Sequence, residues 1–582
     1  MKTSFELALL LALHLVLTGL PGAAAVLLAA RRGVGEVPIL LAIGLCVSGL
    51  VAMLGFWAFY ADRMIGDTFA YFSILGSVLA IAWCVWEGVD RRLLRALAVP
   101  LALWVLGSAF IVYFGFLHGG SDAALGTAAN RFTASPLPSD NDIPLFYAEW
   151  FFDHGHSGTP PVFPGEWLSS DRPPLQIGYV LPQMSIAWGK AELHYTLIGI
   201  VLQQLWIVGL WALLLAARVG RVTRALAMLT ALLSNLAIVN GFFVWPKLLP
   251  AAMLLAVAAL TLTPLWPRVR RSYWAAALLA ALCGLAMMAH GSSIFGIVPL
   301  VLIAAFRGLP SWRWIGVAAL VGVAVMAPWS AYQKYGDPPG NRLTKWFLAG
   351  VVGVDDRGVG EAISDSYREA GVGGTIDNKS DNLARIVGWD ELVTNTEAAV
   401  EAAEDGRGAD VLRQVRTIFF LFLLPSLGLL LLGPVAMAIW WRRRAQRPQE
   451  WDLAVKCLAA FALGSLAWAL ILFGGTNAPT VIHQGSYLLP LLGIVAAVAG
   501  LRAVLPRFAV WLLGLNAALM LLIYTPALEP GEGTVYSVSA ALLAAASLVA
   551  FGLLAGGWPN RVVPEQAAPA SRRGQASVST AG

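Results

Sequence analysis

Charge is scarce in this chain. Asp, Glu, Lys and Arg make up 13% of its 582 residues, against roughly a quarter in a soluble globule. That shortage excludes an ordinary soluble enzyme and a disordered chain. Cysteine is rarer still. Cys46, Cys84, Cys283 and Cys457 all lie inside apolar runs, which speaks against a disulfide framework, a zinc site or a redox pair. There is no Gly-rich phosphate loop ending in Lys and Ser or Thr, so the chain is not expected to drive transport with ATP on its own. Internal repeats and a soluble domain are also missing. The apolar runs do not alternate, which excludes a membrane β-barrel.

What is present is hydrophobic sequence, 58% of the chain, in runs of about 20 residues, the length that carries a helix across a hydrocarbon core. The expected fold class is all-α, a polytopic transmembrane helical bundle of about 13 to 15 spans. The runs lie near 7–30, 38–59, 68–88, 97–116, 195–217, 225–243, 248–265, 273–289, 291–306, 314–332, 418–441, 453–473, 486–501, 508–525 and 535–556. Lys2, the following apolar stretch and Ala23-Ala24-Ala25 resemble a cleavable signal, but the run continues to Ala30 and stops at Arg31-Arg32. A retained first helix fits better.

The basic residues sit in short clusters between the runs: Arg31-Arg32, Arg91-Arg92, Arg218/Arg221/Arg224, Arg268/Arg270/Arg271 and Arg442-Arg443-Arg444. That distribution marks cytoplasmic turns, not a nucleic-acid surface. With the N-terminus outside, those clusters fall inside, and most of the acidic residues fall in two long outer segments. The stretch 176–189 is short and holds Pro182. Counting it as a span would put Arg218, Arg221 and Arg224 outside, so it is expected to be interfacial or re-entrant. The chain then divides into N-terminal helices 1–116, a first extracytoplasmic loop 117–194, central helices 195–332, a second loop 333–417, C-terminal helices 418–556 and a disordered tail 557–582. In the second loop Asp355-Asp356 and Gly371 to Gly374 read as flexible, and 390–413 as one helix running into the next span. Ala- and Arg-rich usage points to a GC-rich bacterium and its plasma membrane.

The first outer loop holds the candidate chemistry. Asp140-Asn141-Asp142 precedes an apolar, aromatic stretch, with Pro144 suited to a first helical turn and Asp142 to the N-cap. The expected helix lies in the membrane interface, with Tyr147 and Trp150 at headgroup level. That places Asp140 and Asp142 near headgroups, where either could act as a general base or remain a cap and a solvated charge. The loop closes with Asp171-Arg172-Pro173-Pro174-Leu175. Two prolines fix the backbone there, and Arg172 could grip a phosphate in a bidentate manner. Further cations on the same side are Lys247, in a short outer turn, and Arg342 and Lys345. His290, His483 and Tyr487 end on that side too. His154 and His156 with Asp140 or Asp142 could ligate a divalent cation, Mg or Mn, although solvated His side chains are the plainer account of His-Gly-His.

These two stretches, Asp140-Asn141-Asp142 through Tyr147-Ala148 and Asp171-Arg172-Pro173-Pro174-Leu175, resemble the GT-C superfamily of integral-membrane glycosyltransferases. The similarity is to bacterial relatives of protein mannosyltransferases and aminoarabinose transferases. It covers about 40 residues closely and the multi-span layout loosely. The family's loop normally follows the first helix and carries an Asp-Glu pair. Here further helices precede it and the acids read Asp-Asn-Asp. The resemblance implies a loop acid as base, with Asp142, Asp140 and Asp171 as candidates. It also implies a polyprenyl-phosphate sugar donor and a glycan, lipid or protein acceptor in the cell envelope. The alternatives are a transporter or flippase, or a polymerase, of lipid-linked saccharides, and a non-catalytic component of an envelope-assembly complex.

Overall fold

The computed structural model describes residues 2–117, 132, 137, 139–187, 191–421, 423–440, 448–474, 484–525 and 538–557. The tail expected to be disordered lies outside them from residue 558, and so does His483. The described residues are helical, with one isolated bridge between Phe163 and Trp167 and no strand. Among them nine helices are long and apolar enough to cross a membrane, or eleven if each of two bent pairs is one span. Four shorter apolar helices complete the set: Leu248–Thr261, Tyr273–Ala289, Gly291–Phe306 and Leu488–Val504. Every expected span overlaps one of these helices or pairs, but only nine to eleven of them are long and apolar enough to cross a membrane, fewer than the 13 to 15 expected.

Burial orders them. Leu248–Thr261 is buried along its whole length, and Ala191–Ala216 is buried throughout its apolar window. These two pack on each other at the bundle centre. Gly209 permits their approach, since a Cβ there would sit 2.5 Å from the Ala252 carbonyl oxygen. Arg63–Trp86 and Trp312–Gly336 expose most of their apolar surface, as helices facing lipid do.

The bundle has two distinct ends. At one, Arg31 pairs with Glu87 at 3.3 Å and Arg268 pairs with Glu36. Glu450 there accepts from the Gly220 N–H at 3.1 Å and the Thr223 hydroxyl at 3.2 Å, while Arg307 donates to the Thr263 carbonyl at 2.8 Å. The described basic clusters thus gather together. The two long polar segments meet at the opposite end, where Arg342 reaches the 165–171 stretch. A Cys replacing exposed Ser364 is expected to react with a membrane-impermeant thiol reagent in intact cells. The native cysteines are buried or partly so and give little background. Labelling only after lysis would invert the orientation.

The segment after Pro173-Pro174 is a short helix packed into the bundle. Leu175–Met184 is almost wholly buried. Its Tyr179 donates to Ser48 at 3.0 Å, and Gln183 bonds His14 at 2.8 Å and Thr18 at 3.2 Å. Those partners lie well inside the helices Lys2–Arg31 and Val37–Ala61. Gly178 makes the contact possible, because a Cβ there would stand 2.2 Å from the Ala52 carbonyl oxygen.

The second outer segment differs from expectation in two places. Gly371 to Gly374 lies within Val359–Val387, two helices merged across a kink at Gly371. The single helix expected over 390–413 is broken: Trp389–Glu404 ends at Asp405, and Gly406 turns the chain with φ 70° before Gly408–Leu421. A positive φ suits Gly.

Candidate functional site

The helix expected after Asp142 is Ile143–His154. Asp142 stands at its N-cap position but bonds no backbone N–H, so the capping expectation is corrected. The apolar face packs inward: Phe151 meets Phe56 at 5.3 Å and Tyr332 at 6.1 Å. Tyr147 is fully buried and donates to the Trp167 carbonyl at 2.6 Å. It ties the helix to the end of the loop, and its hydroxyl is engaged there.

Trp167 is the centre of the loop. The guanidinium of Arg172 lies 4.3 Å from its ring centroid and that of Arg342 lies 4.6 Å away. Each cation also has an acid. Arg172 pairs with Asp140, and Arg342 with Asp171 at 3.5 Å. The remaining Arg342 donors go to the carbonyls of Val352, at 2.7 Å, Gly165 and Glu166. Lys345 is buried against the Asp355 carbonyl and lies 3.7 Å from its carboxylate. Arg342 therefore braces the second long segment on the first, whereas Lys345 is held within the second segment by Asp355. Both side chains are engaged by protein groups, which speaks against the expectation that they bind phosphate. Asp171 belongs to the same brace: its Oδ2 accepts from the Leu168 N–H at 2.9 Å. Burial holds its carboxyl above the usual range, against the pull of that N–H and of Arg342 and Arg172.

Arg172 differs from Arg342. It is 6% exposed, and its Nε has no hydrogen-bond partner. A buried guanidinium with an unused donor costs free energy unless something accepts from it. Around it stand Lys247, His290 and Tyr487. Lys247, 2% exposed, lies 4.6 Å from the Trp245 ring and 5.7 Å from that of Tyr487, and donates to Ser292 at 3.4 Å. Burial, then the charge of Arg172, pushes the Lys247 ammonium well below its ordinary range, while Asp140 opposes the shift. His290 is lowered by burial, then by Lys247 and Arg172. Its Nδ1 accepts from the Ser292 N–H at 3.1 Å, which places the ring proton on Nε2. Tyr487 donates to Asn240 at 3.1 Å.

Asp142 lies on another side of the same turn. It is half-buried, its Oδ1 has no hydrogen-bond partner, and burial followed by the charge of Glu192 raises its carboxyl to about 6. So the structure brings Asp140, Arg172, Lys247, His290 and Tyr487 together, with Asp142 beside them. The proposed metal ligands are not brought together. At about 1.5 Å per residue, His154 stands roughly 18 Å along the helix from Asp142. His154 stacks on Trp150 at 3.8 Å, and His156 bonds the Ala61 carbonyl at 2.9 Å. Among the described residues no three His, Cys, Asp or Glu side chains stand where they could hold a metal ion. The set named for Mg or Mn does not fit one, and no step is assigned to it.

Sequence reasoning passed over Trp167, although an aromatic beside a Gly-Glu turn and upstream of Arg172 is a cation platform. It also passed over Asp337, which accepts from Ser169 at 2.6 Å and from the Ser170 N–H at 3.1 Å. No protein-family model, no curated protein and no solved structure matches this chain.

Proposed function

We propose that the protein is a membrane glycosyltransferase that moves a sugar from a polyprenyl-phosphate carrier to an extracytoplasmic acceptor: a cell-envelope glycan, lipid or protein. The observation that carries this is the buried cluster of Arg172, Lys247 and His290 beside a turn with two carboxylates. Loss of the sugar leaves negative charge on the carrier phosphate, and preorganised cations in a dry site stabilise it. In an inverting transfer the acceptor oxygen bonds the anomeric carbon as the bond to the phosphate oxygen breaks. The bonding pair leaves with the phosphate, and the acceptor proton goes to a base on the far side of the sugar.

Asp142 suits that base. Asp140 and Arg172 lie on the phosphate side, paired, whereas Asp142 keeps an unengaged oxygen and a carboxyl near 6. A base works best with a pKa near the operating pH. Asp140 then orients Arg172. A cavity lined by Tyr487 and bounded by Leu236, Leu423, Leu427, Leu489 and Met520 lies between the helices on the far side of that tyrosine, and its apolar walls are compatible with a lipid-linked donor. Labelled sugar transfer from polyprenyl-phosphate donors to membrane acceptors, by the purified chain in vesicles, tests the proposal. A chain that transfers none from any donor class would be read otherwise.

One observation favours a second reading, translocation of a lipid-linked saccharide. The same cavity is bordered by Ser234, Asn235, Ser465 and Asn516, and by the 52° break between Arg221–Leu232 and Asn235–Phe243. Broken helices around polar side chains are a transporter feature. Movement of labelled lipid-linked saccharide across vesicles without transfer would select it.

A further inference from the structure

The acid-bearing turn and the lysine-bearing turn are far apart in sequence, yet one buried chain of hydrogen bonds joins them. The Tyr195 hydroxyl donates to the Asn141 carbonyl, between Asp140 and Asp142, at 2.8 Å. Gln176 Nε2 donates to that same hydroxyl at 2.8 Å and to the Val244 carbonyl at 3.1 Å. Gln203 Nε2 donates to Gln176 Oε1 at 3.4 Å. Gln203 Oε1 in turn accepts from the Leu248 and Leu249 N–H groups, at 2.9 and 3.1 Å, capping the helix that starts after Lys247. Tyr195 and Gln176 are 1% exposed and Gln203 is fully buried.

The turn so held is strained. Val244 has φ 59° and ψ 13°, a left-handed conformation that a β-branched residue avoids. Such strain persists only where the surroundings over-determine it. They do so here: Gln176 holds the Val244 carbonyl, and Gly199 lets its side chain in, since a Cβ at 199 would lie 2.5 Å from the Val244 Cβ. Without that conformation Trp245 and Lys247 would point elsewhere.

We propose that Tyr195, Gln176 and Gln203 form a positioning chain that fixes the Asp140–Asp142 turn relative to the Lys247 turn, with Gln176 as its hub. It rests on the transferase reading and adds to it. The separation of base and leaving-group cation would be set by three uncharged side chains that touch neither substrate. Misplacement of reacting groups by about an ångström is enough to cost large factors in rate.

The test is a double-mutant cycle in the purified chain, after transfer by the wild type has been established. A wild type that transfers nothing overturns the transferase reading before any variant is made. Tyr195→Phe and Gln203→Met are each expected to lower kcat about 10-fold with the KM for donor little changed. The double variant should fall no further than the worse single, because cutting a chain twice breaks it once. If Gln203→Met does not fold, Gln203→Glu takes its place. It keeps the cap on Leu248 and Leu249, with favourable charge at a helix start, but loses the donor to Gln176. Unchanged kcat in the singles, or a double variant down about 100-fold, would overturn the positioning role.

Discussion

Asp142→Asn is expected to abolish sugar transfer to within about one part in 10² to 10⁴ of the wild-type rate while the protein inserts and accumulates normally. The substitution preserves volume, and no cap is lost, because the native side chain bonds no helix N–H. The pH profile sharpens the prediction. Burial and Glu192 raise the folded carboxyl to about 6. The base is active when ionised, so kcat/KM should rise with pH to a half-maximum near 6 and stay level above it. Glu192→Gln removes the neighbouring negative charge, and the acid limb should move to lower pH. Transfer by Asp140→Asn should fall too, but with its limb still near 6, since that residue acts through Arg172. A profile flat down to pH 4, or wild-type transfer by Asp142→Asn, would remove Asp142 from the chemistry.

The spans were legible because a membrane helix must close all its backbone hydrogen bonds within about 20 residues, which leaves a strong local signal. That 175–184 forms a short helix and not a full span agrees with the bookkeeping of the Arg clusters. The site was only half legible. Arg172 announced itself by Pro173-Pro174, and Lys247 by standing alone in an outer turn. Arg342, Lys345 and Tyr147 carried the same signs of charge and ring, yet they turn out to be engaged by protein groups. Whether a guanidinium faces a cavity or three carbonyls depends on how the segment at 342–355 folds onto 165–172, and no local pattern encodes that. The glutamine chain was silent for a related reason. Gln176 and Gln203 are uncharged polar residues among others in largely apolar helices, a weak sign of function until their partners from distant helices are seen.

Arg172→Gln is expected to weaken donor binding by about 10- to 100-fold, the value of one or two hydrogen bonds to a charged group. Lys247→Met should do so by a similar factor, without loss of fold. The two cations are buried for different reasons. Arg172 offers a planar fork, one arm on Asp140, its face on Trp167 and Nε unengaged. Lys247 is a point charge whose protonation is penalised until an anion arrives. Arg172→Lys keeps the charge but loses the fork, so it should recover only part of the affinity. Lys247→Arg should fail for lack of room beside the Trp245 ring, 4.6 Å away. Arg342→Gln supplies the contrast. It breaks a fully buried pair with Asp171 and strips three carbonyls of their donor, which costs about 3 to 5 kcal/mol for such a pair. Its effect should therefore appear as lost thermal stability, not as altered affinity in the protein that remains folded. Donor affinity is read by titration of a fluorescent polyprenyl phosphate in nanodiscs, and stability by thermal unfolding of the same samples. If Arg172→Gln and Lys247→Met both bind donor as the wild type does, the pocket holds no phosphate and the leaving-group role assigned to it is wrong.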